Sequence, residues 1–361
     1  MVIITEMNRS GILASMKTLL NESLAPYTSL RVGGPAEKLI IAESYDDAVS
    51  VLSSHEKPLW VFGFGCNVLI SDNGLPGTTL MLRGGDITVE GEEVVADAGV
   101  WWDDAVRAAI AHNLWGLELM SEIPSSVGGA VVGNIAAYGQ QVSDSLAWLE
   151  IFDADNGTIT KHDVSDFDFN YRQSSLQQQP EKVILRVGFK LSRTPLHELK
   201  YDSAVAIATE LGLDQSQLDQ RREIIIETRR RAGSIYHPDD PTPDRTAGSF
   251  FKNPLVEPEQ AKQLANYDET GKTLERIERQ SQIHGGSAHR ASAAHVLLAA
   301  GFKRGQTWQH VQLHPSHVLK LATLPGASAS EVYDIVQEIV QTVQDKLGIK
   351  LEPEVRFIGQ F

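Results

Sequence analysis

The stretch Val61 to Gly77, VFGFGCNVLISDNGLPG, constrains this chain more than any other. A short apolar run, Leu59 to Phe62, has strand composition and leads straight into Gly63, Gly65, Cys66 and Asn67. Val68, Leu69 and Ile70 then resume the apolar run, and Asn73-Gly74 and Pro76-Gly77 read as the punctuation that ends it. Closely spaced glycines let a backbone approach a bulky group and turn several N–H donors toward an anion such as a diphosphate. A dinucleotide fingerprint of the Rossmann kind requires a helix directly after its glycines. A second strand follows here, so any phosphate is expected on a loop between strands. Taken alone, the stretch fits an ordinary tight turn equally well.

The chain has 361 residues, of which 42% are hydrophobic and 22% charged, the balance of a soluble globular protein with two or three domains. No run is long enough to span a bilayer as a helix. The first twenty residues lack the basic-then-apolar order of a secretory signal. A single cysteine, Cys66, excludes an intramolecular disulfide framework and fits a reducing cytoplasm. The formal charge of −15 argues against general binding to nucleic acid or anionic membrane.

Apolar spacing predicts helices over residues 10–20, 44–55, 103–113, 202–211 and 218–231, and a long one opened by Ser328 and closed by Gly348. The basic end of the 218–231 helix reads as a solvated face or a phosphate contact. Strands are expected at 27–32, 38–42, 59–62, 68–70, 146–154, 157–162, 182–191, 310–314 and 317–321, with a hairpin over 87–98. A second glycine-rich stretch, EIPSSVGGAVVGNIAAYG at 122–139, packs too closely around something to carry large side chains. His310, His314 and His317 lack an acidic partner close in sequence, and Pro315 interrupts them, so no metal site is expected.

Three further stretches place polar groups where a fold does not need them: FNYRQS at 169–174, AGSFFKNP at 247–254 and LEPEVRFIG at 351–359. Taken singly, Arg172 reads as a surface salt bridge, Ser249 as a cap and Glu354 as a strand charge. With TSLRVGGPAE at 28–37 and the two glycine-rich stretches, they resemble the UDP-N-acetylenolpyruvoylglucosamine reductase family, in family order over nearly the whole chain. LKYDSA at 199–204 is similar to the extra tyrosine segment of that family's first subtype. Cys66 stands where many members have serine.

The resemblance implies an α+β fold: a two-part FAD-binding module of the vanillyl-alcohol-oxidase (PCMH) type and a C-terminal α/β substrate-binding domain. The boundaries expected are 1–82, 83–230 and 231–361, with the last residues returning to the first part. It implies non-covalent FAD, NADPH as co-substrate, and a UDP-sugar enolpyruvyl ether reduced to a lactyl ether in a cytoplasmic monomer. FAD contacts are expected from Gly63, Gly65, Cys66, Asn67, Ile123, Pro124, Ser125, Gly128, Gly129 and Asn134. Substrate contacts are expected from Tyr138, Tyr201, Lys252 and Asn253.

Arg172, Ser249 and Glu354 inherit the catalytic roles. The chemistry suits these residue types. Hydride addition to the enolpyruvyl double bond drives charge into the conjugated carboxylate, and preorganised donors stabilise it. Arg172 offers a planar fork. Glu354 in its acid form can donate a hydrogen bond. Ser249 then supplies a proton to the neighbouring carbon, and Lys252 is a candidate to steady the alkoxide that remains. A flavin oxidase, a nucleotide-sugar binding protein and a nicotinamide dehydrogenase are the competing functions.

Overall fold

The structure, a computed structural model, describes residues 16–240, 244–267, 274, 275, 277 and 289–361. The chain forms two compact units that are both discontinuous in sequence. Unit 1 comprises Met1–Ser23, Pro35–Gly65 and Leu75–Asp240, and unit 2 comprises Leu24–Gly34, Cys66–Gly74 and Pro241–Phe361.

Unit 1 holds two main sheets. The first has the order β1 (Lys17–Ser23), β2 (Pro35–Ala42), β5 (Leu75–Leu82), β3 (Leu59–Phe62). β1 runs antiparallel to β2, whereas β2 and β3 run parallel to β5. The helix α1 (Tyr45–Ser54) joins β2 to β3, and the Ser44 side chain caps it by accepting from Asp47 N at 3.1 Å. β4 (Val68–Ile70), between β3 and β5, belongs to unit 2.

The second sheet of unit 1 is antiparallel and uses β6 (Ile87–Glu90), β7 (Glu93–Asp97), β10 (Leu146–Asp153), β11 (Thr158–Asp163) and β14 (Lys182–Lys190). Its order is β11-β10-β14-β7-β6. α2 (Trp102–Ala111) and α3 (Val127–Val132) pack on it, and Trp102, Val127, Val187 and Phe189 are fully buried in the shared core. Two small hairpins follow, β8 (Ala136–Ala137) with β9 (Gln140–Gln141), and β12 (Phe169–Asn170) with β13 (Gln173–Ser174). α4 (Asp202–Leu211) and α5 (Leu218–Arg231) close the unit around Leu199, Ile207, Ile224 and Ile225.

Unit 2 has a three-stranded antiparallel sheet in the order β15 (Thr246–Ser249), β17 (Lys320–Thr323), β16 (Val311–Leu313). α6 (Pro258–Ala265), α7 (Ala293–Ala299) and α8 (Ala329–Leu347) accompany it. α8 follows its sequence reading closely. Ser328 Oγ accepts from Glu331 N, the apolar stripe Val332, Ile335, Val336, Ile339, Val343 and Leu347 is buried, and Gly348 ends it at φ 64°. β18 (Arg356–Ile358) pairs in parallel with β4. The early segment donates Leu30, Val32 and Leu69 to this unit's core.

Three local expectations are corrected. The helix expected over 10–20 is not formed where it can be seen: residues 10–15 lie outside the described residues, and Lys17 onward is β1, paired with β2. Residues 27–32 are not a strand; they follow a single 3-10 turn at Ala25–Tyr27. Pro76-Gly77 does not end a strand but lies inside β5. There the register with β2 shifts between Ala36 and Lys38, Gly77 takes φ 72°, and its N–H donates to Glu37 Oε2 at 2.7 Å. This is a bulge, the one context in which an interior strand accepts Pro-Gly without losing a ladder bond.

Candidate active site

In unit 1 the glycine loop leaves β3 at Gly63 and lies against the start of α3. A Cβ built on Gly63 would sit 2.2 Å from Ser126 Oγ and 2.7 Å from Ser126 Cβ, so only glycine fits. Ser126 is itself fixed, because its hydroxyl accepts from Gly129 N at 3.1 Å as the cap of α3. Phe64 meets Trp101 edge to face at 4.7 Å between centroids. Gly65 is buried and takes φ 65°. Among the described residues, the N–H groups of Gly63 and Gly65 find no protein acceptor. An exposed glycine, Gly129, and the Ser125 hydroxyl are close by on the same capping turn. Glycine-lined backbone with N–H groups to spare beside serine hydroxyls fits the diphosphate of a dinucleotide. Gly63→Ala is expected to destabilise the protein by about 1–3 kcal/mol, the range for forcing extra atoms into a packed site. It should also lower flavin retention; thermal unfolding and flavin absorbance measure the two effects.

The same region shows what holds two of the expected cofactor residues in place. Gly128 serves packing: its added Cβ would come 2.9 Å from Ala98 Cβ, and its N–H donates to Ala98 O at 2.9 Å. Asn134 is 1% exposed and spends its amide internally, with Nδ2 on Asn170 O at 3.0 Å and Oδ1 accepting from Ser143 N at 3.1 Å. Asn134 thereby ties α3 to the hairpin that carries Arg172. Ile123 and Pro124 are half-buried just before the capping serines.

Two hairpin turns in unit 1 hold expected substrate residues in the left-handed region. Tyr138 and Gly139 have φ 52° and 90°, and Arg172 has φ 55°. Non-glycine residues held at positive φ are strained, and such strain gathers at functional sites. Tyr201, immediately before α4, meets Tyr138 edge to face at 5.3 Å. Burial raises the Tyr138 phenol above its ordinary range.

Arg229 of α5 donates to Ser234 O at 2.7 Å and lies near enough to Tyr138 to act on it electrostatically, while burial lowers its pKa from the ordinary value. Sequence reasoning missed it. The signal was the phase of α5: Arg222, Ile225 and Arg229 recur at helical spacing on one face. Arg222 turns inward too, gripping Asp103 through two hydrogen bonds at 2.8 and 2.6 Å. Burial works to raise the Asp103 pKa, but the Arg222 fork outweighs it and holds the carboxyl below its usual range. Glu122 beside them is raised by burial and then by Asp103. Only Arg230 and Arg231 fit the solvated face expected of this helix end. They pair with Glu227, and Arg231 also grips Glu210. No phosphate contact is needed to explain either.

In unit 2, Ser249 ends β15 as an exposed residue directly before the fully buried Phe250 and Phe251. Gly248 before it has φ 78° and open space around its Cα. The second signature stretch joins here. Glu354 N donates to Phe250 O at 2.8 Å, and Lys252 N donates to Glu352 O at 2.9 Å. Asn67 completes the junction, donating from Nδ2 to Glu354 O at 3.3 Å and accepting from Arg356 N at 3.1 Å. Cys66 is buried, and its carbonyl accepts from Ser29 Oγ at 3.2 Å. Asn253 Oδ1 is engaged as an acceptor for Ala293 N at 2.9 Å, at the start of α7. Thus Ser249, Glu354, Lys252 and Asn67 are drawn together by main-chain bonds, whereas half of the Asn253 amide is structural.

A family model for an FAD binding domain matches residues 39–163, and the model for the UDP-N-acetylenolpyruvoylglucosamine reductase C-terminal domain matches residues 240–358. A UDP-N-acetylenolpyruvoylglucosamine reductase of Mycobacterium leprae (strain Br4923) is 32% identical over 93% of this chain and 94% of its own. That of Cutibacterium acnes is 31% identical over 93% of this chain and 89% of its own. Among solved structures, the reductase of the same name from Thermus caldophilus superposes with a TM-score of 0.64 at 23% identity. It covers 95% of this chain and 99% of that one, which shows the shared fold. From its two signature stretches to its full length, this chain belongs to the UDP-N-acetylenolpyruvoylglucosamine reductase family.

Proposed function

We propose that the chain uses NADPH and FAD to reduce the enolpyruvyl ether of UDP-N-acetylglucosamine enolpyruvate to UDP-N-acetylmuramate, a step in making peptidoglycan precursors. The observation that supports this most is the hydrogen bond from Glu354 N to Phe250 O, which puts the end of AGSFFKNP beside LEPEVRFIG. FAD held by this chain would supply the hydride, drawn from NADPH, that the terminal carbon of the double bond requires. Arg172 holds the substrate carboxylate with its fork, and Glu354 donates to it as charge builds there. Ser249 gives the proton that the adjoining carbon requires, with Lys252 nearby along the chain. Tyr138 and Tyr201 close over the sugar, and Arg229 steadies Tyr138. Gly63, Gly65, Cys66, Asn67, Ile123, Pro124, Ser125, Gly128, Gly129 and Asn134 would hold FAD.

The two sheets of the first unit support a two-part FAD module divided near residue 82, with a second part to about 230 and a substrate domain from 231 onward. The chain acts as a cytoplasmic monomer on small molecules. Its formal charge of −15 disfavours nucleic acid and anionic membranes, and no helix among the described residues is long and apolar enough to cross a membrane.

One spectrum series tests the reading. The purified protein should be yellow, and anaerobic NADPH should bleach it. The enolpyruvyl sugar should then restore the colour. Acid precipitation should leave a colourless pellet, since the only cysteine, Cys66, is buried on the phosphate loop and the flavin is held without a covalent bond. Recovery of colour only on admitting oxygen, with peroxide formed, would make the protein an oxidase instead.

A further inference from the structure

The outer face of the small sheet in unit 2 carries a buried lysine with no role in the chemistry so far. Val311, Leu313 and Leu321 point into the unit 2 core and are 0% exposed. Successive strand residues alternate faces, so Lys320 and Ala322 of β17 lie on the opposite side. Lys320 is nevertheless only 3% exposed. In the antiparallel register its direct partner on β15 is Ser249. Residues paired in this way share a face, with Cβ atoms about 4.5–5.5 Å apart. The Lys320 main chain is pinned on both sides, donating to His317 O at 3.0 Å and accepting from His314 N at 2.8 Å. Its charge reaches its neighbours: His317 is held below the usual imidazole range first by burial and next by Lys320.

We propose that Lys320 is a positioning residue for the protonation step. Its ammonium, on the face it shares with Ser249, stabilises the negative charge left on Ser249 Oγ when that hydroxyl protonates the substrate. The inference rests on Ser249 as the acid. The Ser249 O–H bond breaks as the new C–H bond forms, and the electron pair of the broken bond stays on oxygen. NADPH supplies the hydride for the adjoining carbon. The ammonium keeps its protons, and the alkoxide regains one from water once the product has left. Lys252, the other candidate for this task, is half-exposed. A buried charge is screened less by salt and water than a half-exposed one.

Stopped-flow absorbance of the two half-reactions in the holoenzyme tests this. Lys320→Met should leave bleaching by NADPH unchanged and slow reoxidation by the enolpyruvyl sugar about 10²-fold, the scale for losing one charge-stabilising group. Lys320→Arg keeps the charge and should keep most of the rate. The double variant Ser249→Ala/Lys320→Met should be no slower than Ser249→Ala, because the lysine acts only through the serine. If Lys320→Met does not accumulate, Lys320→Gln against Lys320→Arg gives the same contrast. Equal slowing of both phases with a lower melting temperature would make Lys320 structural. No slowing, or an additive double variant, would also overturn the proposal. If Ser249→Ala slows reoxidation and Lys320→Met does not, only the lysine assignment falls. If Ser249→Ala slows nothing, the reading of Ser249 fails and the proposal falls with it.

Discussion

Ser249→Ala should leave anaerobic bleaching of the flavin by NADPH close to the normal rate and slow reoxidation by the enolpyruvyl sugar about 10²–10⁴-fold, the range for loss of a positioned general acid. The first half-reaction moves a hydride and protonates no carbon. The second must deliver a proton to carbon as well. Ser249 is exposed at the end of β15, while Phe250 and Phe251 beyond it are fully buried and anchor the strand. Removing one exposed hydroxyl therefore leaves the packing intact, and the loss falls on chemistry. Ser249→Cys should recover part of the rate, because a thiol also donates a proton. Stopped-flow traces of both half-reactions decide the matter. Equal slowing of both would make Ser249 a binding or folding residue. If neither slows, the proton has another source, and Glu354 is the first to examine.

Arg172→Lys should lose about 10²–10³-fold in reduction of the enolpyruvyl sugar, although the charge is kept. Lysine offers a point charge on a flexible stem and cannot present a planar pair of donors to a carboxylate. The hairpin makes this an unusually clean substitution. Arg172 sits at φ 55°, and lysine meets the same backbone strain there, so the two proteins differ in the head group alone. Steady-state rates with the enolpyruvyl sugar and flavin content on purification check it. The flavin content should not change. Near-normal turnover would remove Arg172 from the reacting centre.

What could be read in the sequence, and what could not, follows the range of the forces involved. α8 was legible to its caps because one side-chain period runs through all nineteen residues and local caps fix both ends. Lys17 to Leu20 was misread because Leu19 and Leu20 extend a helical spacing, and the pairing with β2 that overrides it is not local. Pro76-Gly77 looked like a strand end, since nothing in sequence announces that the register of β2 and β5 shifts there. The site divides in the same way. Ser249 and Glu354 are expected at the site only through the family motifs that hold them, since alone each reads as a cap or a strand charge. Asn134 is expected at the cofactor only through the family motif that holds it, and nothing in sequence shows that main-chain groups from residues 143 and 170 engage its amide. Arg229 was hidden among four other arginines of α5, and the helix phase separates it from Arg230 and Arg231. Lys320 could not have been found from sequence at all, because its meaning depends on a strand register and on burial of the face away from the core.

The pairing of β18 with β4 has a consequence for how the protein is made. Residues 356–358 must find residues 68–70, so one half of that pair leaves the ribosome long before the other. Leu30, Val32 and Leu69 are core residues of unit 2, yet they are translated before nearly all of it. Throughout synthesis they are apolar groups without their final neighbours, the condition in which nascent chains depend on chaperones. A premature stop after Glu352 would spare both family models almost entirely and still remove Glu354 and β18. Selection on residues 353–358 of such a chain is therefore selection on whether β4 finds its partner.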